Sequence, residues 1–203
     1  MPRPHRPQIA GGLYHVTTRG NRRQRIYLER RDSEFFLEAL DTVIRRFGWL
    51  CHSYCLMPNH YHLLIETPWP NIARGMHDLN SRFSHWFNTR HDENGHLFAR
   101  RYRSVLIESD THFLELVRYI ALNPVRAGLC DKPEGWIWSS YGGLIGRGER
   151  ELFVTETRVI EAFSAQNGEG LERIRIFVNE GRPAHDTFTS PGARHGAMAE
   201  ADG

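Results

Sequence analysis

The stretch Trp49-Leu50-Cys51-His52-Ser53-Tyr54-Cys55-Leu56-Met57-Pro58-Asn59-His60-Tyr61-His62-Leu63-Leu64-Ile65-Glu66-Thr67 decides the architecture of this chain. Trp49 to Met57 reads as one strand, Pro58-Asn59 as a tight turn, and His60 to Thr67 as a second strand paired with the first in a hairpin. Side chains alternate between the faces of a strand, so His60 and His62 project from one side and Tyr61 and Leu63 from the other. Two imidazoles so placed form a clamp for a divalent cation, which takes a lone pair from each where two protonated rings would repel. A His-X-His triplet also arises by chance in a chain with 12 histidines. Other residues must decide its role.

Working outward, Gly12 to Arg19 predicts a strand that ends at Gly20, and Arg19-Gly20-Asn21-Arg22-Arg23-Gln24-Arg25 a basic turn suited to phosphate contact. Asp32 or Ser33 can cap a helix running to Phe47, with Phe36, Leu37, Leu40, Val43 and Ile44 at helical spacing and Gly48 closing it. Pro68 and Pro70 end the hairpin, and a second helix is expected from Ile72 to about Thr89. His96 to Glu108 is strand-like, with Arg100, Arg101 and Arg103 clustered around Tyr102. Asp110 or Thr111 caps a third helix that meets Asn123-Pro124 near its end. This order predicts an α+β fold: a ferredoxin-like, RRM-like antiparallel sheet with packing helices. Trp136, Trp138 and Tyr141 are expected to pack a short segment back on the domain. Two helices follow near Glu156 to Ala165 and Leu171 to Asn179, and the composition from Gly181 onward is that of a disordered tail. The expected organisation is a basic arm over 1–11, a main domain over 12–145, an acidic helical extension over 146–180 and a tail over 181–203.

A length of 203 residues and a hydrophobic content of 40% suit one packed domain with an appendage. No apolar run approaches the roughly 20 residues of a membrane span, and the opening Met1-Pro2-Arg3-Pro4-His5-Arg6-Pro7 lacks the apolar core of a secretory signal. Three cysteines make no disulfide framework. A cytoplasmic location with no membrane partner is the expectation. The net charge of +2 is unevenly spread: residues 1–130 carry 18 arginines against 12 acids, and residues 131–203 carry 8 basic side chains against 12 acids. A positive first part is the footprint of a phosphate-binding surface, and the charge split raises the hypothesis that the acidic extension folds over it and restrains it.

Tyr119 and Asn123 stand four residues apart, one turn along one face of the third helix. If that helix packs on the sheet face bearing His60 and His62, two imidazoles, an amide oxygen and a nucleophile-competent hydroxyl share one site. A metal there would polarise a phosphodiester, and the phenol could attack phosphorus in a reversible step. A tyrosine on an amphipathic helix is by default a packing residue, and Pro124 disfavours helical geometry at Asn123. Imidazole-rich sites suit Zn²⁺, and Cys51 and Cys55 with the histidines could form a structural zinc site. On a regular strand those cysteines share a face about 13 Å apart, at roughly 3.3 Å per residue, which is too far for one ion.

Four ordered motifs, Gly12-Leu13-Tyr14-His15-Val16-Thr17-Thr18-Arg19-Gly20-Asn21, Tyr54 to Leu64, Gly95-His96-Leu97-Phe98 and Arg118 to Leu129, resemble those of the single-tyrosine transposases of small bacterial insertion sequences. The resemblance covers roughly residues 8 to 145 and points to the branch associated with repetitive extragenic palindromes (REPs). It implies the two-histidine HUH nuclease fold acting on single-stranded DNA, in imperfect palindromic hairpins, with Mg²⁺ or Mn²⁺. It also implies His60 and His62 as metal ligands, Tyr119 as the nucleophile that keeps the 5′ phosphate, and Asn123 at the place of a third ligand. DNA contacts are expected from Arg3, Arg6, Arg19, Arg22, Arg23, Arg25, Arg100, Arg101 and Arg103, and a monomer rather than a homodimer. Two other readings remain: a non-catalytic nucleic-acid-binding module on the same sheet, and a nuclease that hydrolyses with metal-activated water.

Overall fold

A computed structural model describes residues 8–163 and 170–181. Strands β1 (Gly12–Arg19), β2 (Leu50–Met57), β3 (His60–Thr67) and β4 (Arg103–Leu106) form one antiparallel sheet in the order β2-β3-β1-β4. Helices α1 (Arg30–Phe47) and α2 (Ile72–His91) cover one face of it, and α3 (Asp110–Arg126) lies on the other. This is the split βαβ arrangement that the element order predicts.

The helices begin and end for local reasons. Helix α1 starts at Arg30, earlier than a cap at Asp32 or Ser33 would allow, because Glu29 is the capping residue and Asp32 occupies the third helical position. There the Asp32 carboxylate accepts the backbone N–H groups of Leu28 and Glu29, closing a capping box. Gly48 ends the helix in the left-handed conformation at φ 66°. Helix α3 is capped by Ser109, not by Asp110 or Thr111: its backbone is extended and its hydroxyl accepts the His112 N–H. The helix also runs through Pro124 to Arg126, so Asn123 keeps helical geometry. Proline costs one backbone donor with a single turn left, and the Ala127 and Leu129 N–H groups still close onto the carbonyls of Asn123 and Pro124.

Two cores sandwich the sheet. Tyr14, Val16, Tyr61, Leu63 and Ile65 point into the α1/α2 side with Phe36, Leu40 and Phe83, while Leu13 and Leu64 point into the α3 side with Phe113, Leu116 and Ile120. Strand β2 breaks the simple alternation with a bulge between Cys51 and Ser53. The bulge sends Cys51 into the first core and Cys55 into the second. The two thiols thus lie on opposite faces, not on one as a regular strand would have them, and a shared zinc site is excluded by geometry.

The expected strand from His96 to Glu108 contracts to β4. Phe98 makes one bridge to Gly20, the Ala99 N–H donates to the Arg19 carbonyl, the chain bows off the sheet over residues 100–102, and pairing with β1 resumes at Arg103. Beyond α3, the Trp136–Ser140 segment runs along the free edge of β2, where the Leu56 N–H donates to the Trp138 carbonyl and the Trp136 indole to the Leu56 carbonyl. Helices α4 (Tyr141–Leu144), α5 (Thr157–Phe163) and α6 (Gly170–Asn179) follow. Val159, Ile174 and Val178 are buried in the second core against α3. The expected disordered tail, except Gly181, and most of the basic arm, with Arg3 and Arg6, lie outside the described residues. No helix among the described residues is long and apolar enough to cross a membrane.

Candidate active site

The α3 side of the sheet has a polar end. On β3, Leu64 belongs to the core and His62 is the next residue on that face; on β1, His15 and Thr17 follow Leu13 in the same way. Helix α3 is seated by Leu116, Val117 and Ile120, which places Tyr119 over this polar end. The Tyr119 ring stands edge-on to His62, with centroids 5.5 Å apart, and to His15 at 6.0 Å. His15 and His62 stack at 5.2 Å with planes 12° apart, and His60 stands edge-on to His62 at 5.0 Å.

All three imidazoles are held neutral. Burial, with smaller contributions from Arg103 and His112, lowers the His15 pKa to about 3. Burial and then Arg19 lower His60 to about 4. His62 is driven well below the ordinary histidine range, first by burial and then by His15, His60 and Arg19. His60 Nδ1 lies 2.7 Å from Asn59 Oδ1, and His62 Nδ1 lies 3.0 Å from His15 Nε2. His62 Nε2 is buried with no hydrogen-bond partner among the described residues.

These rings open on a cleft of about 610 Å³. Its rim carries Arg19, Arg23, Arg100, Arg101 and Arg103. The rim is assembled by backbone bonds: Gly20 donates to the Asn59 carbonyl, Asn21 to Leu97 and Ala99 to Arg19, which ties the basic turn to the hairpin turn and to the 97–99 segment. Only glycine fits at position 20, because a Cβ there would lie 2.3 Å from the Gln24 carbonyl oxygen. Arg22 and Arg23 take left-handed backbone angles, φ 51° and 63°, to complete the turn.

A tyrosine over a histidine pair in an arginine-rimmed cleft suits the handling of phosphates, and residues 9–123 match the family described as "Transposase IS200 like". The chain belongs to that family. A Haemophilus influenzae protein assigned as a REP-associated tyrosine transposase is 28% identical over 143 residues, covering 64% of this chain and 80% of its own length. A solved structure of a REP-associated tyrosine transposase bound to a REP hairpin superposes with a TM-score of 0.63 at 21% identity, covering 72% of this chain and 87% of that one. At that identity the likeness establishes the fold.

Within this IS200-like transposase the expected site residues are partly brought together. Tyr119, His60 and His62 share the cleft, and five of the nine arginines line it. Arg25 lines a separate depression with Trp136 and Trp138, and Arg22 is exposed outside the cleft wall. Asn123 lies one turn from Tyr119 but does not line the cleft; its Nδ2 donates to the Tyr119 carbonyl at 3.1 Å. Among the described residues no group of three or more His, Cys, Asp or Glu side chains could hold a metal ion. What the transposase offers instead is two imidazoles lining one cleft, one of them with a buried nitrogen that has no partner among the described residues. That donor set fits a cation that completes its shell with water and phosphate oxygens, and it does not fit a closed structural site. Among the described residues, none of the acidic extension lines the cleft.

Two site residues, His15 and Asn59, were not among the expected functional set. Alternation along β1 puts His15 on the face of Leu13, but its meeting with His62 depends on the β1–β3 register, in which His62 pairs with Thr17. Asn59 reads as a turn residue, and its amide turns out to bridge Arg23 and His60.

Proposed function

We propose that this transposase cleaves and rejoins single-stranded, hairpin-forming DNA through a 5′-phosphotyrosine link at Tyr119. The observation that carries the reading is the Tyr119 ring edge-on to His62 at 5.5 Å at the wall of a cleft rimmed by five arginines. The Tyr119 oxygen would bond to phosphorus as the bond to the 3′ oxygen breaks, with the phenol proton leaving to water in the cleft and the 3′ oxygen taking one up. A phenolate is a competent leaving group, so the link can be reversed by an incoming 3′ hydroxyl. The rim arginines would hold the strand by its phosphates.

Mg²⁺ or Mn²⁺ would be held by His60 and His62, and Asn123, whose side chain is turned to the Tyr119 carbonyl outside the cleft lining, would supply its amide oxygen on rotating toward the site. When bound, such a cation draws charge from the non-bridging phosphate oxygens and offsets what develops there during transfer. The REP hairpin carried by the solved relative and the name of the Haemophilus influenzae relative support a palindromic hairpin as substrate. A monomer is proposed because Tyr119 and both histidines come together within one chain.

The test is a denaturing gel of labelled hairpin single-stranded DNA incubated with Mn²⁺ and wild type, Tyr119→Phe or His62→Ala. A covalent protein–DNA adduct present in wild type and lost in both variants is expected. Cleavage that survives in Tyr119→Phe would identify a water-using nuclease, and binding without cleavage by wild type would identify a binding module.

A further inference from the structure

We infer that His15 and Asn59 are positioning residues that fix the tautomers of His62 and His60, so that both cleft histidines carry their hydrogen on Nδ1 and turn an Nε2 lone pair to the cleft. The inference deepens the proposed function and rests on it only for what those lone pairs bind.

For His60 one amide fixes the hydrogen. Asn59 Nδ2 donates to the Arg23 carbonyl at 3.1 Å, which orients the amide and leaves Oδ1 facing His60 Nδ1 at 2.7 Å. An amide oxygen can only accept, so the hydrogen of that contact belongs to Nδ1 of the ring. A neutral imidazole carries one N–H, and Nε2 is therefore a lone pair. Asn59 is itself held, since its carbonyl accepts the Gly20 N–H at 2.8 Å.

For His62 the partner is another imidazole, and the 3.0 Å contact between His62 Nδ1 and His15 Nε2 holds one hydrogen that either ring could own. The cleft decides between them. If His15 owned it, His62 would carry its hydrogen on Nε2, the buried atom without a partner, and the positive end of that bond would lie in the field of Arg19, Arg100, Arg101 and Arg103, which wall the cleft that the His62 ring lines. If His62 owns it, a lone pair lies there instead. In a positive potential the second arrangement is lower in energy. His15 then accepts through Nε2, and the near-parallel stack of the rings, 12° apart, fixes the plane of His62 as well as its hydrogen. A metal-binding histidine characteristically donates its other ring N–H to an outer partner, and loss of that partner costs about 10- to 100-fold in metal affinity.

The experiment uses the full chain, labelled with ¹⁵N-histidine and free of metal, in long-range ¹H–¹⁵N correlation spectra that distinguish the two tautomers, followed by Mn²⁺ titration read by electron paramagnetic resonance. Wild type should show His60 and His62 as Nδ1–H tautomers. His15→Gln, whose amide oxygen can still accept, should keep the His62 tautomer and Mn²⁺ affinity, whereas His15→Leu should lose the tautomer and weaken Mn²⁺ about 10- to 100-fold. Asn59→Leu should release the His60 tautomer alone. An Nε2–H tautomer at either histidine in wild type overturns the inference without need of any variant, as does an unchanged His62 tautomer in His15→Leu. Nδ1–H tautomers in a wild type that binds no Mn²⁺ support the inference and overturn the metal in the proposed function.

Discussion

Tyr119 and His62 meet edge to face at 5.5 Å with their planes 87° apart, although one stands on α3 and the other on β3. The contact makes the seating of α3 and the geometry of the reaction one problem. Tyr119→Phe keeps the ring and therefore the seat, so its stability should stay within about 1 kcal/mol of wild type and its hairpin affinity should be unchanged, with adduct formation abolished. His62→Ala removes a buried ring that packs against Tyr119, His15 and His60, and should cost about 2–4 kcal/mol as well as the adduct. Urea melts beside the denaturing gel separate the two effects.

The five rim arginines predict a graded salt dependence. Replacing Arg100, Arg101 or Arg103 by alanine should weaken hairpin binding and reduce the slope of log affinity against log salt by about 0.7 for each single-strand phosphate that is no longer neutralised. Arg46→Ala is the control, because Arg46 is paired with Asp78 at 2.9 Å on the opposite helical layer. Its slope should match wild type in the same filter-binding series.

The helical extension acts through the core. Ile174 and Val178 are buried against α3, and Arg118 of α3 lies over the Phe177 ring at 4.7 Å. A chain ending at Phe163 gives up this burial, worth roughly 1.5–3 kcal/mol for each large apolar side chain. It should melt at lower temperature and cleave more slowly than the full chain. Faster cleavage by the shortened chain would instead support an inhibitory role for the acidic extension.

The periodic elements were legible in the sequence because alternation and helical spacing report burial directly. β1 and β3 fall at their expected bounds for that reason. The pair His60 and His62 was legible by the same alternation, and Tyr119 with Asn123 by helical spacing. Three features were not. The β2 bulge inverts half a strand with no local residue that announces it, and so it moved Cys51 to the other face. The 100–102 bow takes up the mismatch between the Gly20–Phe98 bridge and the Thr17–Arg103 pair, five steps of one segment against three of the other, a tertiary property. The role of His15 depends on strand register, and in isolation it is one histidine among 12.

His52 gives the chain a pH-dependent fastening away from the cleft. Its ring is buried on β2, with Nδ1 3.1 Å from the Thr155 carbonyl and Nε2 3.1 Å from Glu66, which Arg158 of α5 also holds. Burial lowers its pKa below 6.5 by more than the Glu66 and Thr155 contacts raise it. Below pH 6.5 the unfolded chain therefore takes a proton that the folded chain still refuses, and stability falls. The contribution is complete above 6.5 and is lost as pH drops toward the lowered folded value, at no more than about 1.4 kcal/mol per pH unit. Other buried histidines add their own slopes, so the measurement is a difference. Urea melts at pH 7.0 and 5.5 should show wild type losing more stability on acidification than His52→Gln, which keeps a polar side chain and has no proton to gain. Equal losses in the two proteins would show that the His52 ring is protonated in the fold and donates to both oxygens.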